Sequence, residues 1–148
     1  HQRARSAAQV SESVADLPPL RILLAEDQEV NQKFATRLLA NAGHEVTLAR
    51  NGVEALQRSS EQAFDLILMD LQMPEMDGLE ASRRIRQREE GTGGHVPIIA
   101  LTANAMQGDR QMCHDAGMDG YVSKPVKKAT LFAEMTRVLK GADDAQSV

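Results

Sequence analysis

The sequence predicts an α/β domain built on a parallel β-sheet with helices on both faces. Short, uninterrupted apolar runs alternate with amphipathic segments between about residue 20 and residue 140. Runs without polar alternation are typical of strands buried on both faces. Strands that alternate with helices favour parallel pairing through right-handed crossovers. A chain of 148 residues is long enough for one such domain.

Five strands are predicted from these runs and the turn signals beside them, at residues 22–25, 45–49, 66–70, 98–101 and 120–123. After the first strand, Val30, Phe34 and Leu38 recur at helical spacing and predict the buried face of a helix that Gly43 ends. The Asn51-Gly52 pair turns the chain into a second, shorter helix.

Three more helices follow. Asp77 is a predicted N-cap for a helix that carries Leu79 and Ile85 on its apolar face. A fourth helix is predicted over 109–116, and a last one carries an apolar stripe on its inner face. The members of that stripe are Leu131, Met135 and Val138. The basic cluster of the third helix is expected to be a solvated face; it comprises Arg83, Arg84, Arg86 and Arg88.

The two ends differ from this middle part. Residues 1–19 lack a clear period, end in Pro18-Pro19 and predict a flexible linker or tail; residues 141–148 predict a second tail, which leaves 20–140 as the domain. Because the chain opens on His1 instead of Met, we expect either a piece of a longer protein or a processed chain.

Bulk properties exclude several classes of function. The formal net charge of −4 argues against nonspecific nucleic-acid binding by this domain, and no apolar stretch is long enough to span a membrane. Cys113 is alone, which fits a reducing compartment such as the cytoplasm.

Polar residues stand at the carboxyl ends of four predicted strands. Glu26 and Asp27 follow the first, Asp70 ends the third, Thr102 follows the fourth, and Lys124 follows the fifth. In a parallel sheet these ends meet at one edge, where ligands of such folds bind. Each residue alone would be an ordinary cap, turn or surface group, but their joint placement predicts one site.

The chemistry of that site points to phosphoryl transfer onto Asp70. Clustered carboxylates need a cation, and hard oxygen ligands favour Mg²⁺, with Mn²⁺ as the alternative. We assign Asp27 and Asp70 as direct ligands, Glu26 as a ligand through water, and the backbone carbonyl of Gln72 as a further ligand. Lys124 and Thr102, also at this edge, would then meet the phosphoryl oxygens.

At these residues the chain resembles the receiver (response-regulator) domain family of two-component signalling. The resemblance covers about residues 21–140 and rests on Leu24-Ala25-Glu26-Asp27, Met69-Asp70-Leu71-Gln72-Met73-Pro74, Met76-Asp77-Gly78, Ala100-Leu101-Thr102-Ala103 and Lys124-Pro125. It implies a flavodoxin-like, receiver-type sheet of order 2-1-3-4-5, with Asp70 as the phosphoacceptor. It also implies Thr102 and Tyr121 as the switch pair and a cis bond between Lys124 and Pro125.

A finer resemblance is to receivers of hybrid sensor histidine kinases. It rests on the segments 26–32, 70–74 and 101–105, with Gln28 as a mild departure from the more common Asn. It implies that phosphate arrives from a histidine kinase core, expected in the same polypeptide, which would itself be a protein-histidine kinase, and leaves to a histidine phosphotransfer domain. The domain itself would catalyse only its own phosphorylation and dephosphorylation, without contact to nucleic acid or membrane. A fragment of a stand-alone or DNA-binding response regulator is the alternative.

Three other functions fit the sequence less well. An Asp-nucleophile phosphatase of the haloacid dehalogenase type wants a second Asp two residues after the nucleophile, where this chain has Gln72. A flavin or nucleotide module needs a phosphate-binding loop after the first strand, where Glu26 and Asp27 would repel the ligand. A purely interacting, non-phosphorylated receiver is disfavoured by the presence of both Asp70 and Lys124.

Overall fold

The computed structural model describes residues 17–103 and 107–147, with side chains described for 17–103 and 110–140. Five strands alternate with five helices along these residues. The strands are β1 (Arg21–Ala25), β2 (Glu45–Ala49), β3 (Leu66–Asp70), β4 (Ile98–Thr102) and β5 (Gly120–Ser123). The helices are α1 (Glu29–Asn41), α2 (Gly52–Glu61), α3 (Gly78–Glu90), α4 (Gln107–Asp115) and α5 (Lys128–Ser147).

The five strands form one parallel sheet in the order β2-β1-β3-β4-β5. The chain therefore steps from β1 outward to β2, returns past β1 to β3, and then continues in one direction. Doubly wound sheets bind their ligands outside the carboxyl ends of the strands, at the point where the strand order reverses. The predicted fold class and strand order are confirmed.

Two apolar layers cover the two faces of the sheet, because successive side chains of each strand point to opposite faces. The first layer packs beneath α1 and α5, and its helical members are Ala35, Leu39, Leu131, Phe132, Met135 and Val138. The second packs beneath α2, α3 and α4, and its helical members are Ala55, Leu79, Ala81, Ile85 and Cys113. Strands β1, β3 and β4 contribute alternating residues to both layers, as their continuous apolar sequences predict.

Local signals fix where several helices begin and end. Asp77 caps α3 as predicted, since its side chain accepts a hydrogen bond from the backbone N–H of Glu80 at 2.9 Å. Asn51 caps α2 in the same way, accepting from Glu54 N–H at 2.8 Å. Gly117 follows α4 with a φ of 90°, a conformation that suits glycine and turns the chain into the approach to β5.

The exposed face of α1 differs from the prediction. Val30 is 78% exposed and Phe34 is 50% exposed, whereas Ala35 and Leu39 face the sheet. The spacing of Val30 and Phe34 predicts a buried stripe, but the helix is oriented so that these two side chains lie outside the core. A helix can present only about a third of its surface to one sheet, so the two apolar stripes of α1 cannot both be buried.

The described structure includes residues on both sides of the predicted domain, 20–140. The backbone of α5 continues to Ser147, past residue 140. Leu17, expected in the linker, packs against the first apolar layer. Residues 1–16 of the predicted linker lie outside the described part of the chain. Among the described residues, no helix combines the length and apolar character needed to cross a bilayer.

His44, which follows Gly43 in the turn between α1 and β2, is a buried side chain. Its Nδ1 accepts a hydrogen bond from Leu20 N–H at 3.1 Å, and its ring lies beside Phe132 with centroids 6.5 Å apart. Its Nε2 has no hydrogen-bond partner among the residues described. Burial lowers the pKa of His44, so the ring is held in the neutral form that can accept from Leu20.

Candidate functional site

The predicted polar residues come together at the carboxyl edge of the sheet, where all of them except Glu26 line one open cleft. The cleft has a volume of about 590 Å³ and lies above β1, β3 and β4. Its polar lining includes Asp27, Asp70, Gln72, Thr102 and Lys124. The parallel register places these residues at one edge because β1, β3, β4 and β5 all end there.

Three carboxylates cluster at this edge of the sheet, and two of them, Asp27 and Asp70, line the cleft. Glu26, Asp27 and Asp70 each offer one oxygen, and these oxygens lie within 4.8 Å of one another. Glu26 and Asp70 are 1% and 3% exposed, whereas Asp27 faces solvent. Such crowding of negative charge in a partly dry site is favourable only with a nearby cation. The donor set, all hard oxygen with a solvent-facing side, suits Mg²⁺ with retained waters.

Lys124 supplies positive charge to this cluster. Its Nζ lies 2.8 Å from Oδ2 of Asp70 and 3.2 Å from Oε1 of Glu26. Burial alone would lower the pKa of Lys124, but the hydrogen bond to Asp70 and the charges of both carboxylates outweigh it, and the pKa is raised. Lys124 is therefore a fixed cation at neutral pH. The Lys124–Pro125 bond is cis, as predicted.

The two oxygens of Glu26 already have partners within the protein. Oε1 faces Lys124, and Oε2 accepts a hydrogen bond from Gln28 N–H at 3.0 Å. Asn31 Nδ2 lies 3.5 Å from the same Oε2. These contacts fit an acid that orders the site and reaches a cation through water better than one that binds it directly.

Asp70 is held in position by the loop that follows it. Its Oδ1 accepts from Gln72 N–H at 3.1 Å, and its Oδ2 accepts from Lys124. The start of α3 closes over this loop, and a Cβ at Gly78 would clash with the backbone carbonyl of Asp70. Gly78 therefore permits a close approach of backbones that a larger residue would prevent.

Thr102 and Tyr121 lie on the same face of the sheet. Tyr121 pairs with Ala100 across β4 and β5, and Thr102 is the next residue of β4 on that face. Thr102 is buried, and Tyr121 is half-buried against the second apolar layer. The guanidinium carbon of Arg110 lies 4.8 Å from the centroid of the Tyr121 ring. No periodic signal in α4 singled out Arg110.

A second, apolar groove adjoins the acidic cleft. It has a volume of about 250 Å³ and lies between α1 and the loop after β5, where Lys124 is shared by both cavities. Its apolar walls include the exposed Val30 and Phe34 together with Pro125 and Val126. The sequence pattern missed this groove because it assigned Val30 and Phe34 to the core.

The chain matches the sequence model of the "Response regulator receiver domain" family over residues 22–136. It is 38% identical to "Hybrid signal transduction histidine kinase I" of Dictyostelium discoideum over 148 residues. That match covers 96% of this chain and 8% of the relative, so the chain spans less than a tenth of the relative's length.

Solved structures show the same likeness. The receiver domain of sensor histidine kinase PA1611 from Pseudomonas aeruginosa PAO1, solved with a magnesium ion in its active-site cleft, is 45% identical with a TM-score of 0.71. The match covers 84% of this chain and 97% of that one. A co-crystal of the Saccharomyces cerevisiae histidine phosphotransfer protein Ypd1 with the Ssk1 receiver domain matches at 34% identity and a TM-score of 0.74, covering 77% and 84%.

Sheet order, the placement of the acidic cluster opposite a lysine, and the family match agree with one another. The chain belongs to the response regulator receiver domain family.

Proposed function

We propose that this domain takes a phosphoryl group from a phosphohistidine onto Asp70 in a phosphorelay. The observation that carries this proposal is the position of the Asp70 carboxylate, between an acidic cluster and the ammonium of Lys124. In the transfer, the bond between phosphorus and the histidine nitrogen breaks, and a bond between phosphorus and an Asp70 oxygen forms. The histidine keeps the electron pair of the broken bond, and the product is a mixed anhydride.

We assign Asp27 and Asp70 as direct ligands of Mg²⁺, with the backbone carbonyl of Gln72 as a third and Glu26 acting through water. Mn²⁺ is the alternative cation. When bound, the metal would neutralise charge on the transferring group. The solved relative from Pseudomonas aeruginosa supports magnesium as the cation, because a magnesium ion lies in its active-site cleft.

Lys124 and Thr102 would receive the phosphoryl oxygens. The ammonium of Lys124 already donates to Oδ2 of Asp70, so an arriving phosphoryl group would meet a positioned cation. Thr102 ends β4 beside β3 and can donate its hydroxyl to a phosphoryl oxygen. Such catalysis consists mainly of positioning and charge stabilisation.

The apolar groove beside the cleft would receive the phosphotransfer partner. Val30 and Phe34 project from α1 next to the site, and Lys124 lines both the groove and the cleft. A partner helix packed along this groove would bring its phosphohistidine to Asp70. The Ypd1–Ssk1 complex supports a partner of this class, since it joins a receiver to a histidine phosphotransfer protein.

The wider context rests on the relatives. Hybrid histidine kinases are prominent among them, which favours a kinase core in the same polypeptide as the phosphate donor. On this proposal the domain works in the cytoplasm and catalyses only its own phosphorylation and dephosphorylation. A stand-alone response regulator is the second candidate, favoured by the 41% identity over 108 residues to the response regulator DivK of Brucella anthropi.

The experiment compares two donors, phosphoramidate and phosphorylated Ypd1, in the presence of Mg²⁺. Both contain a phosphorus–nitrogen bond, but only Ypd1 has a protein surface to dock. Wild type should be phosphorylated by both, and Asp70→Asn by neither. Phe34→Asp should slow phosphoryl transfer from Ypd1 and leave the rate of phosphorylation by phosphoramidate unchanged.

Val53→Asp provides the matched control, because Val53 is 43% exposed but lies on α2, away from the groove. It should leave both reactions unchanged. Full phosphorylation by either donor in excess chelator would contradict the metal-dependent mechanism. Equal transfer from Ypd1 to wild type and Phe34→Asp would contradict the docking groove.

A further inference from the structure

Arg110 stacks on the face of Tyr121, outside the cleft described above. The 4.8 Å separation between its guanidinium carbon and the ring centroid is within the range of a cation–π contact. Arg110 is an exposed residue of α4, and Tyr121 is a half-buried residue of β5. The contact therefore bridges the helix and the strand that follow the Thr102 end of β4.

The backbone of Tyr121 is fixed, so its freedom lies in the side chain. Its N–H donates to Oε2 of Glu134 at 3.0 Å, and β5 pairs with β4 on the other side. Glu134 is in turn held by Arg137, whose Nη2 lies 2.7 Å from the same oxygen. These bonds anchor the strand to α5 and leave rotation of the Tyr121 ring as the available motion.

Thr102 and Tyr121 lie on the same face of the sheet, on adjacent strands. Tyr121 pairs with Ala100, and Thr102 is two residues farther along β4. If Thr102 moves toward a phosphoryl group on Asp70, the space that it leaves is open to the Tyr121 ring. A ring that turns into that space moves away from the guanidinium of Arg110.

We propose that Arg110 is a positioning residue that restrains Tyr121 in its unphosphorylated conformation. The proposal rests on the proposed function, because it concerns the response to a phosphoryl group on Asp70. Stacking favours only the state in which ring and guanidinium are in contact. It therefore shifts the population toward that state and weakens the response to phosphorylation.

The size of the effect follows from the exposure of Arg110. An exposed cation–π contact shifts a two-state equilibrium by about two- to five-fold. If the restrained state dominates, removing the contact raises the population competent for the phosphoryl group by that same factor. The apparent affinity for a phosphoryl analogue rises with the competent fraction.

The composition of the chain supplies a specific reporter. Tyr121 is the only tyrosine, and the chain has no tryptophan. Intrinsic tyrosine fluorescence therefore reports on this one ring. We propose to titrate wild type, Arg110→Ala and Arg110→Lys with beryllofluoride in saturating Mg²⁺, following this emission.

The half-saturating concentration should fall about two- to five-fold in Arg110→Ala, with Arg110→Lys between it and wild type. Loss of a positive charge by itself would weaken binding of the anionic analogue and shift the value in the opposite direction. Arg83→Ala is the matched control, because Arg83 is an exposed arginine of α3 that pairs with Glu80. It should not lower the half-saturating concentration.

Intact-mass measurement after acetyl phosphate treatment separates this proposal from the one on which it rests. A wild type that never gains a phosphoryl group would overturn the proposed function. Normal phosphorylation with an unchanged or raised half-saturating concentration in Arg110→Ala would overturn only the role of Arg110. An equal fall in Arg83→Ala would likewise overturn it, because the effect would then not require contact with Tyr121.

Discussion

Replacing Lys124 with alanine removes the only described ammonium that lies against the acidic cluster. The substitution deletes the 2.8 Å contact to Asp70 and the 3.2 Å contact to Glu26. It leaves two carboxylates, whose side chains are 4% and 1% exposed, without this compensation. The folded state without metal should therefore become less stable.

The magnitude lies below that of a fully buried ion pair. Breaking such a pair typically costs about 3–5 kcal/mol, and a hydrogen bond to a charged group contributes about 1.5–3 kcal/mol. The Lys124 side chain is 21% exposed, and the cleft admits water, so solvent recovers part of the loss. We expect Lys124→Ala to lose about 2–3 kcal/mol of unfolding free energy at neutral pH.

The pH range of this stabilisation follows from the raised pKa of Lys124. A base whose folded pKa exceeds its unfolded value contributes its full stabilisation below the unfolded value, here 10.5. The contribution disappears only as the pH rises through the higher folded pKa. The difference in unfolding free energy between wild type and Lys124→Ala should therefore persist across neutral pH and become smaller in strong alkali.

Urea unfolding in chelator and in Mg²⁺ measures the effect. Since Mg²⁺ would offset the negative charge of the same carboxylates, it should stabilise Lys124→Ala more than wild type. The difference in unfolding free energy between the two proteins should therefore become smaller in Mg²⁺. Lys33→Ala is the control, because Lys33 pairs with Glu29 at 3.8 Å and is 73% exposed. It should cost no more than about 0.5 kcal/mol. Unchanged stability of Lys124→Ala in chelator, or a gap that widens with Mg²⁺, would refute the charge-compensation argument.

Three further variants test other parts of the structure. Asp27→Asn relieves repulsion at an exposed position, so the metal-free protein should stay within about 0.5 kcal/mol of wild type or become more stable; a large drop in melting temperature would count against this. Burial holds the pKa of His44 below its ordinary value of 6.5, and the unfolded state therefore binds more protons at acid pH. The unfolding free energy measured in urea should fall as the pH drops below 6.5. His44→Gln should reduce this pH dependence, whereas replacing the exposed His114 with Gln should not. An unaltered pH profile in His44→Gln would disprove that buried His44 contributes to it. Thr102→Ala should still accept phosphate, roughly ten- to a hundredfold more slowly because one hydrogen bond to a charged group is lost. It should also lose most of the structural change that phosphorylation causes around Tyr121. Unaltered phosphorylation-induced NMR shifts near Tyr121 in this variant would disprove the proposed coupling between Thr102 and Tyr121.

The sheet and the acidic cleft were predictable because their signals are local and repeated. Strands buried on both faces read as continuous apolar runs, and parallel pairing forces their carboxyl ends to one edge. Asp27, Asp70, Thr102 and Lys124 could therefore be placed together from their positions in the chain alone. The cap at Asp77 was predictable for a similar reason, since it satisfies N–H groups within the same turn.

The predictions were wrong at residues whose sequence pattern does not decide between a buried and an exposed position. Val30 and Phe34 have the spacing of a core stripe, but the alternative stripe with Ala35 and Leu39 is the one that packs. Arg86 was assigned to a solvated face, yet its Nη2 lies 2.8 Å from Asp119 and its side chain is 15% exposed.

That ion pair joins α3 to the residue before β5, 33 positions away in the sequence. Neither partner carries a local signal for the other. The Arg110 contact with Tyr121 escaped prediction for the same reason, because it depends on how α4 lies against β5. Long-range side-chain contacts of this kind need the packed structure.

Phosphorylation of Asp70 is the most direct test of the central claim. Intact-mass analysis after acetyl phosphate and Mg²⁺ should show one added phosphoryl group, which hydroxylamine should remove because it is an acyl phosphate. Asp70→Asn should gain none, whereas Asp115→Asn, which changes an exposed acid on α4, should match wild type. An Asp70→Asn protein that still gained the same group, in an acid-stable form, would contradict the account.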